Sequence, residues 1–206
     1  SSLANQVFNM GETTVTWTVV DNSNLTATCS FTATVTDDED PVISCPSDIA
    51  GIACITDVPA AYADYAAFQT AGGEATDNDV VDYASFALVS ADTNGTCPTT
   101  ITRTYYIEDT TGNSATCTQV ITIKDSIAPY IMPTVLDSTL TSTNCVFKIP
   151  DMREIVRNIS TDCSEITVTQ PSAGMVVYPM VAERDTTVNV IVTDICGNSS
   201  VKEVII

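Results

Sequence analysis

ETTVTWTVVDNSNLTATC, residues 12–29, is a stretch that returns twice along this chain and decides its fold. The second copy is TITRTYYIEDTTGNSATC at 100–117, and the third is DTTVNVIVTDICGNSSVK at 185–202. In each copy, apolar and polar residues alternate on both sides of a short segment rich in Asp, Asn and Gly. Alternation with a period of two, in sequence rich in Thr, Val and Ile, is typical of two β-strands joined by a turn.

The aspartates that align in the three copies give the length of the repeat. Asp109 follows Asp21 by 88 residues, and Asp194 follows Asp109 by 85 residues. We expect each of them to accept backbone N–H groups within its turn. Short strands and turns in units of this length predict an all-β chain of tandem immunoglobulin-like β-sandwich modules arranged end to end. The predicted modules are the C-terminal part of a truncated module at 1–37 and two complete modules at 38–125 and 126–206.

Charge and cysteine content restrict the location and the partners of the protein. Lys and Arg number 7 against 26 Asp and Glu, a formal net charge of −19, which disfavours nucleic acids and anionic membranes as partners. No run of 18 or more apolar residues is present, so we expect no membrane insertion of this segment. Eight cysteines without any histidine or Cys-x-x-Cys pair favour disulfides over zinc, and therefore a secreted, extracellular or cell-surface location.

Six of the cysteines are expected to pair by their position in the predicted sandwiches. The first and last strands of such a sandwich run in the same direction, so half-cystines at their starts lie at the same end of the module. The same reasoning applies to half-cystines in loops that share a pole. Four cysteines allow three pairings, so the connectivity rests on this argument alone. The expected bonds are Cys45–Cys117, Cys54–Cys97 and Cys163–Cys196.

Two cysteines have no partner in this scheme. Cys29 matches Cys117 in the repeat, so we expect its partner in the first strand of its own module, in upstream sequence of a longer array. Cys145 has no such counterpart, because the position that matches Cys97 is Ala182. We expect Cys145 to be either a buried free thiol or half of a bond that the repeat does not indicate.

A resemblance to the hyalin-repeat (HYR) family is carried by residues 8–49, FNMGETTVTWTVVDNSNLTATCSFTATVTDDEDPVISCPSDI. The shared features are Gly-x-Thr-Thr-Val, an Asp before the turn, a Cys in the last strand, and Pro-Val-Ile-x-Cys-Pro at the start of the next unit. The two complete modules resemble the versions found in large secreted surface adhesins of gliding, Bacteroidota-type bacteria. This resemblance implies an adhesin exported by the type IX secretion system, in which such modules form a long stalk.

Candidate ligand and modification sites are few. Absence of histidine excludes His-based catalytic triads and His metal sites, and we expect no enzymatic activity. In the linker at 37–40, Asp37, Asp38 and Asp40 offer oxygen ligands for Ca²⁺, with solvated charge as the alternative and no required cofactor. The next linker offers only Asp125, so this site is not expected to repeat. Short O-glycosylation signals of the Bacteroidota type include Thr110, Ser126, Ser138 and Thr186. If the chain is eukaryotic instead, the candidate acceptors are the Asn-x-Ser/Thr sites at Asn24, Asn94, Asn158 and Asn198.

Two further expectations concern packing. Trp17 and Tyr105 occupy matching positions on the apolar phase of a strand, so both are expected in a core. The segment PDMREIVRNI at 150–159 has helical spacing, and a helix of one or two turns is expected after a cap at Asp151. Its apolar face comprises Met152, Ile155, Val156 and Ile159.

The function expected from these features is structural. The modules would act as stalk or spacer repeats of a long extracellular adhesin or filament, in contact with neighbouring modules of the same chain and with surface polysaccharide or another cell-surface protein. A second interpretation is that loops at one pole bind a glycan or a protein directly. A third is that the modules are accessories of a secreted polysaccharide-degrading enzyme whose catalytic domain lies elsewhere in the chain.

Overall fold

The computed structural model describes most of the chain. Expectations for Ser138, Cys145 and Thr186 lie outside the described residues and stay predictions. The described residues are 3–134, 147–171, 173–174, 176–177 and 187–205.

Strands dominate the regular structure, and the all-β prediction is confirmed. Among the described residues, no helix is long and apolar enough to cross a membrane. The helical elements are α1 (Tyr65–Thr70), α2 (Arg153–Asn158) and a 3-10 turn at Ile55–Asp57. The strands are β1 (Gly11–Val20), β2 (Thr26–Val35), β3 (Val42–Ser44), β4 (Ile49–Ile52), β5 (Glu74–Thr76), β6 (Val81–Asn94), β7 (Thr99–Asp109), β8 (Ser114–Ile123), β9 (Tyr130–Ile131), β10 (Phe147–Lys148), β11 (Ser160–Thr161), β12 (Ile166–Thr169), β13 (Val176–Val177), β14 (Thr187–Asp194) and β15 (Ser199–Ile205).

Three hairpins, β1–β2, β7–β8 and β14–β15, correspond to the three copies of the sequence repeat. Their strands are rich in Thr and Val, whose branched side chains favour extended backbone. The same turn closes each hairpin, and the third residue after its aspartate has a left-handed φ of 62° at Asn24, 98° at Gly112 and 89° at Gly197. Glycine and asparagine are the residues that adopt this conformation at least cost. The repeat in the sequence is therefore a repeat of structure.

The chain forms two compact units that differ from the predicted modules. Unit 1 comprises Ser1–Pro46, Tyr62–Ala87 and Tyr105–Cys117, and unit 2 comprises Ser47–Ala61, Leu88–Thr104 and Thr118–Ile206. A four-stranded sheet has the order β4-β8-β7-β6, and its strands β6, β7 and β8 each contribute residues to both units. The module boundaries at 37/38 and 125/126 stay predictions.

Unit 1 has an aromatic core. Helix α1 begins where the Asp64 carboxylate accepts a hydrogen bond from the Ala67 N–H at 2.8 Å, an N-cap that satisfies one free donor of the first turn. The helix brings Phe68 against Tyr105 and Phe86, with ring centroids 5.5 and 4.8 Å away. Tyr105 is fully buried, which confirms its predicted place in a core. The buried residues of this cluster are Tyr65, Phe68, Ala75, Val81, Phe86, Tyr105 and Ile107.

Hairpin β1–β2 leaves its apolar side chains largely exposed. It is a two-stranded sheet with no other strand paired to it among the described residues. Trp17 is 36% exposed, so the prediction that it packs in a core is wrong for this structure. The physical reason is that a two-stranded ribbon cannot bury a face unless a second layer covers it. Other exposed apolar residues of the hairpin are Val19, Val20, Leu25, Phe31 and Val35.

Unit 2 has an aliphatic core beside a three-stranded sheet of the order β12-β14-β15. In the same unit, β4 runs parallel to β8 and places Ile49 opposite Ile121. Buried Gln170 accepts from the Met152 N–H at 2.8 Å and donates to the Pro150 carbonyl at 2.8 Å, so its amide is satisfied. The core residues of this cluster are Met152, Val156, Val168, Val190, Val192 and Val204.

Helix α2 lies in the segment expected to be helical, but its details differ from the prediction. The N-cap residue is Met152, which makes no side-chain cap, while Asp151 one position earlier accepts from the Arg153 N–H at 3.0 Å. Met152 and Val156 are buried, whereas Ile155 is exposed. A helix of six residues is too short to direct all of the predicted apolar side chains towards one core.

Candidate functional site

The aspartate that opens each hairpin turn accepts backbone hydrogen bonds, as predicted. Its Oδ1 atom accepts from the N–H four residues later, at 2.9 Å for Asp21, 2.9 Å for Asp109 and 2.8 Å for Asp194. The N–H of the same aspartate donates to the carbonyl of that later residue, at 2.9, 3.0 and 3.0 Å in the same order. The side chain therefore adds to the backbone hydrogen bonds that close the turn.

Asp109 is held in its ionised form. Burial raises the pKa of this carboxyl, but hydrogen bonds from Asn113 and Thr111 lower it by more, so that the pKa falls from 3.8 to about 2. The residue is only 3% exposed. At neutral pH the turn of β7–β8 thus carries a fixed and buried negative charge.

Two more carboxylates meet Asp109 in unit 1. Asp37 follows β2 and Asp77 follows β5, and one carboxylate oxygen from each lies within 4.8 Å of the others and of an Asp109 oxygen. Asp37 Oδ1 accepts from the Glu39 N–H at 3.1 Å. The three aspartates come from three separate segments, 37, 77 and 109, and form what we call the unit 1 aspartate group.

The predicted calcium ligands are not brought together as a set. Asp37 belongs to the unit 1 aspartate group, but Asp38 and Asp40 are exposed and belong to no such group in the described part of the chain. Neighbouring residues of an extended linker direct their side chains to different sides, so a run of acids seldom converges on one point. Sequence reasoning missed Asp77, although the repeated Thr-Asp pairs at 76–77 and 161–162 pointed to it.

A related group lies in unit 2. Asp125 and Asp162, at the repeat positions of Asp37 and Asp77, have carboxylate oxygens within 4.8 Å of each other and of the Cys163 sulfur. The grouping recurs in part, although no repetition was expected. The expectation that a calcium site does not repeat stays a prediction, because this group has two carboxylates and a sulfur that is bonded to Cys54. Its second aspartate comes from a distant segment, which the linker alone does not indicate.

Three disulfides are present among the described residues. Cys45 is bonded to Cys117, as predicted, and lies against the aromatic core of unit 1. The other two predicted pairs, Cys54–Cys97 and Cys163–Cys196, are wrong. The structure has Cys54–Cys163 and Cys97–Cys196 instead, with Cα–Cα distances of 5.5 and 5.3 Å.

One cavity of unit 2 is lined by Cys163 and Cys196 and by the residues that precede the other two half-cystines, Ala53 and Thr96. The four half-cystines therefore lie near one another. The expected pairs are wrong because each predicted module was taken to close its own bonds. When four half-cystines lie near one another, the distances and orientations of their Cβ atoms decide which of them bond. The spacing of the cysteines along the sequence does not indicate those distances. Cys29 is an exposed free thiol.

The predicted modification sites differ in accessibility. Thr110 and Ser126 are exposed, and Asn24, Asn94 and Asn158 are exposed as well. Asn198 is half-buried, and its side-chain amide donates to the carbonyl of Asp125 at 3.1 Å and to Asp194 at 2.7 Å. Attachment of a glycan to Asn198 would therefore disrupt two hydrogen bonds, while attachment to the exposed positions would not bury the sugar.

Comparison with known protein families places part of the chain. The family model of the HYR domain matches residues 2–35, the segment that contains β1 and β2. The match covers less than half of the chain, so membership of the chain in that family stays a prediction. No curated protein matches the chain.

Among solved structures, similar chains are extracellular fragments of protocadherins. The protocadherin gammaB7 EC3-6 cis-dimer structure has a TM-score of 0.35 at 13% identity, and protocadherin Gamma B2 extracellular cadherin domains 3–6 have a TM-score of 0.34 at 12% identity. The extracellular domain of protocadherin GammaB4 has a TM-score of 0.32 at 13% identity. The alignments cover 94%, 95% and 94% of this chain but only 59%, 59% and 39% of those chains.

Proposed function

We propose that this chain is a spacer segment of an extracellular, adhesion-type repeat protein that resists extension by force. The observation that carries the proposal is the interleaved order of its disulfides, Cys45–Cys117, Cys54–Cys163 and Cys97–Cys196. Two of these bonds join the second predicted module, 38–125, to the third, 126–206. The structural repeat of three hairpins and the HYR match at 2–35 support the same role.

Interleaved bonds limit how far an unfolded chain can be stretched. With all three bonds intact, the shortest covalent path runs along 1–45, back along 117–97 and on through 196–206. That path contains about 75 residues, which extend to about 260 Å at ~3.4 Å per residue. The reduced chain of 206 residues extends to about 700 Å on the same basis. When the three disulfides are formed, more than half of the extended length of the reduced chain would therefore not be reached.

Single-molecule force spectroscopy tests the proposal. The chain would be held at its two termini, with Cys29→Ser and Cys145→Ser to remove other thiols. We expect a fully extended length of about 260 Å under oxidising conditions, and about 700 Å after reduction. The pairing Cys54–Cys97 with Cys163–Cys196 would give about 350 Å, because the path would then run 1–45, 117–163 and 196–206. Equal lengths before and after reduction would remove the basis for a force-resisting role.

The finer assignment rests on the resemblance to large bacterial surface proteins. On that ground we propose that the protein is a gliding-motility adhesin exported by type IX secretion. Its proposed partners are neighbouring repeats of the same chain and surface polysaccharide or another cell-surface protein. The acidic net charge of −19 and the disulfides suit a secreted surface filament. A test is the location of the native protein: a cytoplasmic, reduced protein would contradict the assignment.

A second candidate function, glycan binding, is favoured by one surface groove of unit 1. Tyr83 is 51% exposed and stacks on Tyr65 with ring centroids 4.3 Å apart. Asp64 and Gln69 line the same groove and supply polar groups beside the exposed ring. Sugar rings stack on such faces because their C–H groups are apolar while their hydroxyls need polar partners. Affinity electrophoresis against a panel of soluble polysaccharides tests this: Tyr83→Ala should abolish any retardation, and no retardation of the wild-type chain would exclude the groove as a site.

A further inference from the structure

Two buried oxygens of the unit 1 aspartate group have no hydrogen-bond partner. Asp37 Oδ2 and Asp77 Oδ2 are completely buried and accept no hydrogen bond from any described residue. The opposite oxygens of the same carboxylates are used, since Asp77 Oδ1 accepts from the Asn78 N–H at 2.5 Å. A buried carboxylate oxygen without a partner is costly, and here two of them lie in one group.

In unit 2, a hydroxyl that unit 1 lacks donates to one of the two equivalent carboxylates and lies close to the other. Ser164 Oγ donates to Asp162 Oδ2 at 3.0 Å and lies 3.4 Å from Asp125 Oδ2. The residue at the repeat position of Ser164 in unit 1 is Asp79, which cannot donate a proton when ionised. Asp79 Oδ2 instead accepts from Thr110 Oγ1 at 3.1 Å. Where unit 2 has the donor Ser164, unit 1 therefore has a fourth carboxylate, Asp79, close to the group.

Among the described residues, no side-chain cation forms an ion pair with the three carboxylates. The single ion pair between side chains in the described part of the chain joins Arg153 to Asp151, and it lies in unit 2. Three carboxylates with oxygens within 4.8 Å repel one another unless a positive charge lies among them. Asp109 is fixed in this arrangement by its own turn and does not move away.

The ligand atoms select a hard cation. All three candidates are carboxylate oxygens, which suit Ca²⁺, Mg²⁺ and Mn²⁺, whereas zinc and copper sites generally include imidazole or thiolate ligands. Mg²⁺ keeps several water ligands and is bound by one or two carboxylates, while Ca²⁺ accepts a larger set of protein oxygens. Oxygens within 4.8 Å of each other fit around an ion with Ca–O distances of about 2.4 Å.

We propose that Asp37, Asp77 and Asp109 bind one Ca²⁺ ion in unit 1. Through Asp37 the ion ties the segment that follows β2 to Asp77, which follows β5, and to Asp109 at the end of β7. The two orphaned oxygens become metal ligands, which removes the cost of burying them. The equivalent group of unit 2 does not bind the ion, because its third member is the Cys163 sulfur, which is bonded to Cys54, and Asp162 Oδ2 already accepts from Ser164. The proposal is independent of the spacer function.

Calcium titration of the whole chain tests the proposal, with Asp77→Asn and the repeat-equivalent Asp162→Asn as a matched pair. After treatment with a chelator, isothermal titration calorimetry with CaCl₂ should show one saturable site in the wild-type chain and in Asp162→Asn, and none in Asp77→Asn. An excess of MgCl₂ should not displace the ion. Absence of saturable binding in the wild-type chain, or equal loss in both variants, would overturn the proposal.

Melting temperature gives a second readout that does not depend on calorimetry. The wild-type melting temperature should rise with Ca²⁺ concentration, because an ion that binds only the folded state stabilises it by mass action. In chelator alone, Asp77→Asn should melt above the wild-type chain, since the substitution removes one of three repelling charges. If Asp77→Asn does not fold, Asp37→Asn takes its place with the same expectation. A variant that melts below the wild-type chain in chelator would show that Asp77 or Asp37 is structural and not a metal ligand.

Discussion

Asn113 donates through its side-chain amide to Asp109 at 2.7 Å, and Asn198 makes the same contact with Asp194 at 2.7 Å. Each amide also donates to a second carbonyl, that of Asp37 at 3.4 Å for Asn113 and that of Asp125, at the matching position, at 3.1 Å for Asn198. One side chain thus joins the turn to the segment that leads into its own repeat. The first turn has Leu25 at this position and lacks the contact.

The first prediction concerns this asparagine. Asn113→Leu, which copies the residue of the first turn, should lower the free energy of unfolding by about 1–3 kcal/mol, because buried Asp109 Oδ2 loses its donor. Urea unfolding measures the change. The reverse exchange, Leu25→Asn, is the control and should change stability by less than about 0.5 kcal/mol, since Leu25 is exposed. Equal losses would mean that the amide contact is not what stabilises the turn.

The second prediction is a loss of stability in acid. The pKa of Asp109 is about 2 in the folded chain and 3.8 ordinarily, so folding favours the carboxylate. Its contribution is complete above pH 3.8 and is lost as the pH falls through about 2. The pKa of Asp151 is also lowered to about 2, chiefly by its hydrogen bonds with the Arg153 side chain, and acts in the same direction.

Thermal unfolding as a function of pH, in the presence of chelator, checks this prediction. The wild-type chain should be more stable than Asp109→Asn near neutral pH, and the gap should narrow between pH 3.8 and about 2. Asp38→Asn, an exposed position of the linker, serves as the control and should follow the wild-type curve. A gap that stays constant over this range would contradict the assigned pKa of Asp109.

The third prediction is covalent. Non-reducing peptide mapping should recover Cys54 linked to Cys163 and Cys97 linked to Cys196. The double variant Cys54→Ser with Cys163→Ser opens a bond that spans 109 residues, and chain entropy predicts a loss of about 4–5 kcal/mol. The control is Cys29→Ser, which removes a free thiol and should leave stability unchanged. Recovery of peptides that link Cys54 to Cys97 would contradict this prediction and support the pairing expected from the sequence.

The fourth prediction tests the packing of the unit 1 core. A Cβ added at Gly73 would collide with the ring of Phe68, which is fully buried and cannot rotate away. Gly73→Ala should therefore lower the free energy of unfolding by about 1–3 kcal/mol through overpacking. Phe68→Ala should cost about 3–5 kcal/mol, whereas Phe31→Ala, at an exposed position of β2, should cost far less. Chemical unfolding of the three variants gives the comparison.

Local patterns in the sequence were sufficient for the hairpins and their turns. Alternation of Thr and Val predicts strands because the backbone preference lies in the residues themselves, and Asp21, Asp109 and Asp194 act within four residues of their own position. Tyr105 was placed correctly because the strand that carries it is covered by a second layer. Trp17 lies in the same alternating sequence pattern, but among the described residues no second layer covers its strand. The alternation of residues does not indicate whether a second layer is present.

The aspartate group and two of the disulfides depend on contacts between distant segments. Asp37, Asp77 and Asp109 converge although 40 and 32 residues separate them along the chain. Only the alignment of Thr-Asp pairs between repeats hinted at Asp77, and it does not indicate which groups satisfy its oxygens. Likewise, the spacing of cysteines indicates which half-cystines share a pole, but the choice among neighbours is made by geometry after folding.

The last prediction concerns Cys29, whose thiol lies exposed on β2 opposite Trp17. Its repeat equivalent, Cys117, is bonded to Cys45 and is protected from reagents. Iodoacetamide should therefore label Cys29 in the folded, unreduced chain, while the six bonded cysteines react only after reduction. In a protein that carries another repeat before residue 1, we expect Cys29 to be bonded to a cysteine about 72 residues upstream, the separation of Cys45 and Cys117, and to resist the reagent. Trp17 should then be shielded as well, with a blue-shifted fluorescence, because the same strands would cover its face of the hairpin. Rapid labelling of Cys29 in both proteins would show that it is a natural free thiol and that the exposed face of β1–β2 does not belong to an interrupted sandwich.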